Sequence, residues 1–292
     1  MWVKAAILLI NWRDKFAKKA NKLHYHIAGH GQNALAWPHR FTVDYKGSKD
    51  IMDIAGKKAI VLGGTSGIGL ATSLMLVEKG ADVVAVSRDP SKAGDVPAGI
   101  RLAALDSRDS EAVEAFFNAE GDIDILVNSA TGGSRAFGPF MEMDMKGFQG
   151  SFDKLWGYAN VLRYGASHVR DHGSIVLVSG SPARKPKPGQ IALSAVGGAV
   201  EALARAIAAE IAPKRVNVVS PGIIDTPMVA LSGEDRAKHY QNVTKTHLVD
   251  RAGIQPKWHR PLSLRSKMIL SRAPQLTLMA AGSSRNRPSK IE

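Results

Sequence analysis

The stretch Ala59-Ile-Val-Leu-Gly-Gly-Thr-Ser-Gly-Ile-Gly69 decides how this 292-residue chain folds. A short apolar run is followed by three glycines spaced G-x-x-x-G-x-G and then by a helical pattern over residues 70–79. A strand, a tight turn and a helix in this order lay backbone N–H groups and the positive helix N-terminus against a pyrophosphate. The pattern therefore predicts a dinucleotide site, with a glycine-rich turn that binds no ligand as the alternative.

The next predicted strand, residues 82–87, ends in Ser87-Arg88. An acidic residue at this place would bind the ribose 2′-hydroxyl of NAD. A small polar residue followed by arginine suits a 2′-phosphate instead, because the guanidinium matches the geometry of phosphate oxygens. This strand end predicts NADP as the cofactor, with NAD less favoured; an exposed arginine without a ligand is the alternative.

Two further strand ends carry polar side chains: Asp106 follows residues 100–105, and Asn128 follows residues 123–127. In doubly wound folds, ligands bind at the carboxyl edge of a parallel sheet. Alternating strands and helices predict such a single α/β domain, with strand order 3-2-1-4-5-6. We expect strands near 58–62, 82–87, 100–105, 123–127, 174–178 and 215–219, and helices near 67–79, 109–118, 145–171 and 190–212.

The chain resembles the short-chain dehydrogenase/reductase family over about residues 52–234. The motifs that carry the resemblance include L-G-G-T-S-G-I-G at 62–69, V-N-S-A at 127–130, G-S-I-V-L-V-S-G-S at 173–181 and R-V-N-V-V-S-P-G-I-I-D-T-P at 215–227. The resemblance implies a Rossmann fold and NAD(P)-dependent oxidation or reduction of a small carbonyl or alcohol substrate. Its implied cofactor-binding residues are Gly63, Thr65, Ser66, Gly67, Ile68, Gly69, Ser87, Arg88, Asp106, Asn128, Pro221, Gly222 and Thr226.

The catalytic pattern of that family, Tyr-x-x-x-Lys, is missing. When the chain is aligned on Ser194, the Tyr position is Ile191 and the Lys position is Ala195. An isoleucine cannot transfer a proton, and an alanine cannot stabilise a phenolate. The usual catalytic serine falls on Gly180, or on Ser181 if the following loop is one residue shorter.

Three polar residues near the altered positions are candidates for catalysis: Lys154, Ser179 and Ser181. Simple packing against neighbours is the alternative for Lys154. Three functions remain open at this point. The first is an NADP-dependent oxidoreductase in which water, Ser181 or Lys154 transfers the proton. The second is an NADP(H)-binding protein or sensor without hydride transfer, and the third is a decayed gene product.

The composition limits the kinds of binding partner that the sequence predicts. The net charge of +13 comes from residues 1–51, which contribute +6, and residues 236–292, which contribute +10, whereas residues 52–235 contribute −3. Neither basic tail shows the pattern of a nucleic-acid-binding module, so we expect no nucleic-acid partner. No run of 18 apolar residues is present, so we expect no membrane span and a cytoplasmic location. The chain has no cysteine and its histidines lack metal-ligand spacing, so we expect no metal site.

Both ends of the chain are unlike the family. We expect residues 1–51 to be an extension outside the fold, residues 52–250 to form the NADP-binding domain, and residues 251–292 to be a basic tail. Codon choices exist for residues 257–284 whose adjacent reading frame spells a family-like ending, so we hypothesise a frameshift between about Ala252 and Lys257. Such an ending would supply the last strand of the sheet, and with it we expect a homodimer or homotetramer.

Overall fold

A computed structural model describes residues 52–245, 247 and 250–254. The predictions made for residues 1–51 and for the tail beyond residue 254 lie outside these residues. The strands are β1 (Lys58–Leu62), β2 (Asp82–Ser87), β3 (Ile100–Ala104), β4 (Ile123–Asn128), β5 (Val169–Val178), β6 (Arg215–Val219), β7 (Ile224–Asp225) and β8 (Gly253–Ile254). The helices are α1 (Gly67–Glu78), α2 (Ser110–Glu120), α3 (Met145–Ser151), α4 (Asp153–Gly165), α5 (Ile191–Glu210) and α6 (Gly233–Thr244).

The first six strands form one parallel sheet in the order β3-β2-β1-β4-β5-β6, which confirms the predicted doubly wound topology. Both faces of the sheet are buried, and the central strands accordingly read as continuous apolar runs. Helix α1 packs on one face. Helices α2, α4 and α5 pack on the other, where Phe117 and Tyr158 are the largest fully buried side chains.

The predicted helix over residues 145–171 is wrong in its last part. Helices α3 and α4 occupy residues 145–165, a short 3-10 turn follows, and β5 already begins at Val169. Val169 pairs with Ile123 at the start of β4, with an irregularity in the register before the pairing resumes at Ser174. Pairing with a neighbouring strand therefore overrides the local helical pattern.

Helix α5 is long and apolar enough, by length and composition alone, to cross a membrane. Its inner face belongs to the domain core, where Val200, Ala204 and Ala208 pack among the strands and helices of the second face. A core helix of an α/β domain meets the same criterion, so α5 is accounted for by the fold.

The segment after β6 folds back towards the carboxyl edge of the sheet. Strand β7 pairs in parallel with β8, and α6 lies between them in the sequence. Arg236 on α6 forms an ion pair with Asp225 and donates hydrogen bonds to the carbonyl oxygens of Thr226, Val229 and Leu231. This arginine fixes the backbone around Thr226 next to the cleft described below.

Candidate active site

A cleft of about 600 Å³ opens at the carboxyl ends of β1, β4, β5 and β6. The segments that follow all four strands supply its wall: the glycine turn, the loop after β4, the loop after β5 and the segment after β6. Most of the predicted site residues line it, namely Gly63, Ser66, Gly67, Ile68, Gly69, Lys154, Ser179, Ser181, Pro221, Gly222 and Thr226. The remaining predicted cofactor residues, Thr65, Ser87, Arg88, Asp106 and Asn128, lie outside its lining.

The glycine turn is shaped by close backbone contacts. Gly63 has a φ of +71°, and a Cβ there would lie 2.8 Å from the backbone nitrogen of Ala130. A Cβ at Gly69 would clash with the carbonyl oxygen of Gly63, so the helix can approach the strand only without one. The N-terminus of α1 has no side-chain cap and no acidic residue in its first turn. Its free N–H groups therefore remain available to an anion such as a pyrophosphate.

Two unpartnered polar atoms lie near the adenine end predicted for the cofactor. The Oγ of Ser87 and the Nδ2 of Asn128 are buried and have no hydrogen-bond partner. Buried polar groups are normally paired, so an orphaned pair at the strand ends is compatible with a bound ligand. Arg88, directly after Ser87, is exposed. The glycine cradle and these atoms together fit a dinucleotide.

Asp106 has a partner within the protein. Arg108 binds its carboxylate through Nε and Nη2, at 3.2 and 2.7 Å, and reaches Asp153 on α4 through Nη1 at 3.0 Å. The hydrogen bond from Arg108 lowers the pKa of Asp106. The role of Asp106 in binding adenine stays a prediction, and the structure adds that Arg108 would share this carboxylate.

Lys154 is the only lysine that lines the cleft within the described residues. Its Nζ lies 3.4 Å from the carbonyl oxygen of Ser179 and 5.4 Å from the centre of the Tyr158 ring. Burial, together with the positive charge of Arg135, lowers the pKa of Lys154 to about 8. An amine with this pKa can both give and take a proton near neutral pH.

The two candidate serines have different environments. Ser179 is buried at the end of β5, and its Oγ donates a hydrogen bond to the carbonyl oxygen of Gly197 at 3.0 Å. Ser181 begins a 3-10 turn and is held through its backbone N–H, which donates to the carbonyl oxygen of Pro221 at 2.8 Å. Both serines line the cleft, and the hydroxyl of Ser179 is engaged by the backbone of α5.

The structure excludes Tyr158 as an acid or base. Its hydroxyl is buried and donates to the carbonyl oxygens of Asn128 and Val178, at 2.7 and 3.0 Å. Burial raises the pKa of Tyr158 far above its ordinary value. This tyrosine joins the ends of β4 and β5 beneath the cleft.

The cleft-facing residues of α5 differ from those that the alignment on Ser194 predicts. Ile191 is 41% exposed, and neither it nor Ala195 lines the cleft. The pair four residues apart that does line it is Leu193 and Gly197. The predicted register is therefore two residues too early. Leucine and glycine cannot transfer a proton either, so α5 supplies no acid or base to the cleft.

A buried ion pair holds the loop that carries Ser181. Glu201 on α5 is 6% exposed and binds Arg184 through both carboxylate oxygens, at 3.2 and 2.8 Å. Ser220, at the end of β6, donates to the same carboxylate at 2.8 Å. The loop after β5 is thereby tied to both α5 and β6. No local pattern in the sequence indicates this contact between residues 17 positions apart.

Arg135 is the functional candidate that sequence reasoning missed altogether. It lines the cleft on the loop after β4, and its guanidinium lies 5.9 Å from the centre of the Phe137 ring. The neighbouring Ala136 N–H donates to the Oγ of Ser151, which also lines the cleft. The available signal was an arginine two residues after a glycine pair at a predicted strand end.

The fold and cleft define a dinucleotide-binding protein of the doubly wound α/β class. A family model described as short chain dehydrogenase matches residues 57–237. The chain belongs to the short-chain dehydrogenase/reductase family of NAD(P)-dependent oxidoreductases.

Individual relatives agree with this assignment. L-xylulose reductase from Mesocricetus auratus is 30% identical over 197 residues, which are 64% of this chain and 80% of that protein. Carbonyl reductase [NADPH] 2 from Sus scrofa is 34% identical over 187 residues, covering 61% of this chain and 75% of the relative. A solved small-chain dehydrogenase in complex with NADPH superposes with a TM-score of 0.57 at 27% identity, covering 68% of this chain and 86% of that structure.

Proposed function

We propose that the protein is an NADP(H)-dependent reductase of a small carbonyl compound, in which Lys154 supplies the proton. The observation that carries the proposal is the position of Lys154, whose amino group lies in the cleft and within 3.4 Å of the end of β5. Family relatives described as L-xylulose reductase and carbonyl reductase [NADPH] support the carbonyl substrate and the cofactor.

The residues of the glycine turn would hold the pyrophosphate, and Arg88 with Ser87 would bind the 2′-phosphate. The guanidinium of Arg88 is exposed and forms no hydrogen bond or ion pair within the described residues. The nearby carboxylate of Asp106, on which the charge of Arg88 acts, is itself bound by Arg108. Phosphate oxygens accept strong charge-assisted hydrogen bonds from arginine. NADPH, when bound, supplies the hydride for the reduction.

The chain's own residues supply the rest of the chemistry. The hydroxyl of Ser181 hydrogen-bonds the carbonyl oxygen of the substrate and orients it. The ammonium group of Lys154 then gives its proton to that oxygen as the carbonyl carbon is reduced, and the neutral amine regains a proton from solvent. Ser179 is a positioning residue, because its carbonyl oxygen receives Lys154 and its hydroxyl holds the backbone of α5.

A second candidate is a protein that binds NADP(H) without turnover. The presence of Leu193 and Gly197, where an acid and its cationic partner would face the cleft, favours this alternative.

Fluorescence titration of the full chain with NADPH and NADH tests the cofactor, and NADPH consumption with a panel of ketones and aldehydes tests the activity. Binding with turnover that Lys154→Gln abolishes supports the proposal. Micromolar binding without turnover of any compound would favour the second candidate, and no binding of either nucleotide would contradict both.

A further inference from the structure

We infer that the reducible substrate carries an anionic group, a carboxylate or a phosphate, which Arg135 binds beside Lys154. This inference rests on the proposed function, since it concerns the substrate of the same cleft. It would narrow the substrates from carbonyl compounds in general to oxo acids or phosphorylated carbonyl compounds.

The charges that line the cleft carry the argument. Arg135 and Lys154 are its only ionisable side chains within the described residues, and both are cationic. They are close enough for the charge of Arg135 to act on Lys154. Two neighbouring cations repel each other, and no carboxylate from the described residues lines the cleft, so an anionic group on a ligand would be their partner of opposite charge there.

The one carboxylate next to Lys154 in the sequence is already engaged. Asp153 receives Arg108 at 3.0 Å, and Arg108 also binds Asp106. No ion pair connects Asp153 with Arg135 or Lys154 within the described residues. Asp153 is therefore engaged by Arg108 and does not belong to the cleft lining.

The loop that carries Arg135 packs against the first turn of α4, which places Arg135 beside Lys154. Gly132 has a φ of +74°, and a Cβ there would clash with the backbone nitrogen of Lys154, so the glycine allows the loop to lie directly on the first turn of α4. The hydrogen bond from Ala136 N–H to the Oγ of Ser151, at 2.9 Å, fixes the chain next to Arg135. A guanidinium held in this way can bind two oxygens of one anionic group.

The test compares pairs of probes that differ only in the anionic group: acetoacetate with ethyl acetoacetate, and dihydroxyacetone phosphate with dihydroxyacetone. Calorimetric titration of the complex with NADP⁺ gives their affinities whether or not they are turned over. We expect at least one anionic probe to bind about tenfold more tightly than its neutral partner. A difference within the acetoacetate pair would identify the anionic group of the substrate as a carboxylate, and a difference within the dihydroxyacetone pair would identify it as a phosphate.

Arg135→Gln should remove the difference within either pair, while NADPH binding stays unchanged. Arg163→Gln is the matched control, because Arg163 is likewise exposed, lies 5.6 Å from the ring centre of Tyr164 and is distant from the cleft lining. Equal affinities within both pairs, or absence of binding by both anionic probes, would overturn the inference. Weaker NADPH binding by Arg135→Gln would also overturn it, by assigning Arg135 to the cofactor. If the unmutated chain does not bind NADPH, this result would instead contradict the proposed function.

Discussion

The Nζ of Lys154 lies 3.4 Å from the carbonyl oxygen of Ser179, and the Oγ of Ser179 donates to the carbonyl oxygen of Gly197. Ser179 thus links Lys154 on α4 with Gly197, a position on α5 that has no side chain. If Lys154 supplies the proton, Lys154→Gln should reduce kcat/KM by about 10²–10⁴-fold and leave NADPH binding intact. Lys146→Gln, on the exposed surface of α3, is the control and should retain full activity.

The pH dependence of the reduction follows from the same lysine. Its pKa is lowered to about 8, so the ammonium form needed for proton donation is present below this pH and is lost above it. We expect kcat/KM for carbonyl reduction to be level below pH 8 and to fall about tenfold per pH unit above it. A profile that stays level to pH 10 would rule out Lys154 as the acid.

A rise in pH that removes the proton from Lys154 should lower the activity but increase the stability of the folded chain. Its folded-state pKa lies below the ordinary value of 10.5, so the unfolded chain binds the extra proton between about pH 8 and 10.5. The contribution of Lys154 to the free energy of unfolding therefore becomes more favourable as pH rises through this window. Lys154→Met should raise the melting temperature at pH 7, and this gain should shrink by pH 10.5. Thermal melts at the two pH values measure it.

Substitutions at two glycines distinguish a glycine that is needed for close packing from one that only adds backbone flexibility. Gly69→Ala places a Cβ against the carbonyl oxygen of Gly63, so we expect NADPH affinity to fall about tenfold or more together with a lower unfolding temperature. Gly198→Ala, inside α5, meets no atom within 4 Å. It should stabilise the domain by about 0.5–1 kcal/mol, because alanine loses less backbone entropy in a helix. Urea unfolding of both variants checks the contrast.

Cofactor preference should depend on Arg88. Arg88→Leu removes the proposed partner of the 2′-phosphate, and we expect NADPH affinity to fall about 10–100-fold while NADH affinity changes less than about twofold. Titrations with both nucleotides measure the two effects. A parallel loss for both would assign Arg88 a structural role.

The close packing around Gly197 on α5 can be tested by a double substitution. A Cβ at Gly197 would lie 2.9 Å from the Cβ of Ala183 and 3.1 Å from the Oγ of Ser179. Gly197→Ala should therefore lower the free energy of unfolding by about 1–2 kcal/mol through overpacking. Adding Ala183→Gly should recover this loss if the contact is its cause. Gly198→Ala again serves as the neighbouring control.

The sheet could be predicted because each strand is a short apolar run with polar or glycine residues at its carboxyl end. The glycine turn was equally predictable, since its spacing encodes close approach of backbone atoms. The phase of α5 was not, because a helix with alanine, glycine and small aliphatic residues on every side has no distinct polar face. An alignment on Ser194 therefore put Ile191 rather than Leu193 towards the cleft.

The side-chain network around the cleft was also beyond the sequence. Arg108 reaches Asp153 only because the loop after β3 and the start of α4 lie side by side. Arg108 and Asp153 are 45 residues apart, and Arg184 and Glu201 are 17 residues apart. Such pairs depend on tertiary geometry, and no local pattern distinguishes them from exposed charges.

The hydroxyl of Tyr158 joins β4 and β5 from below through the carbonyl oxygens of Asn128 and Val178. Tyr158 therefore holds the carboxyl ends of these two strands together without lining the cleft itself. The scaffold of the cleft thus rests on contacts that do not involve the side chains facing the cleft from α4 and α5.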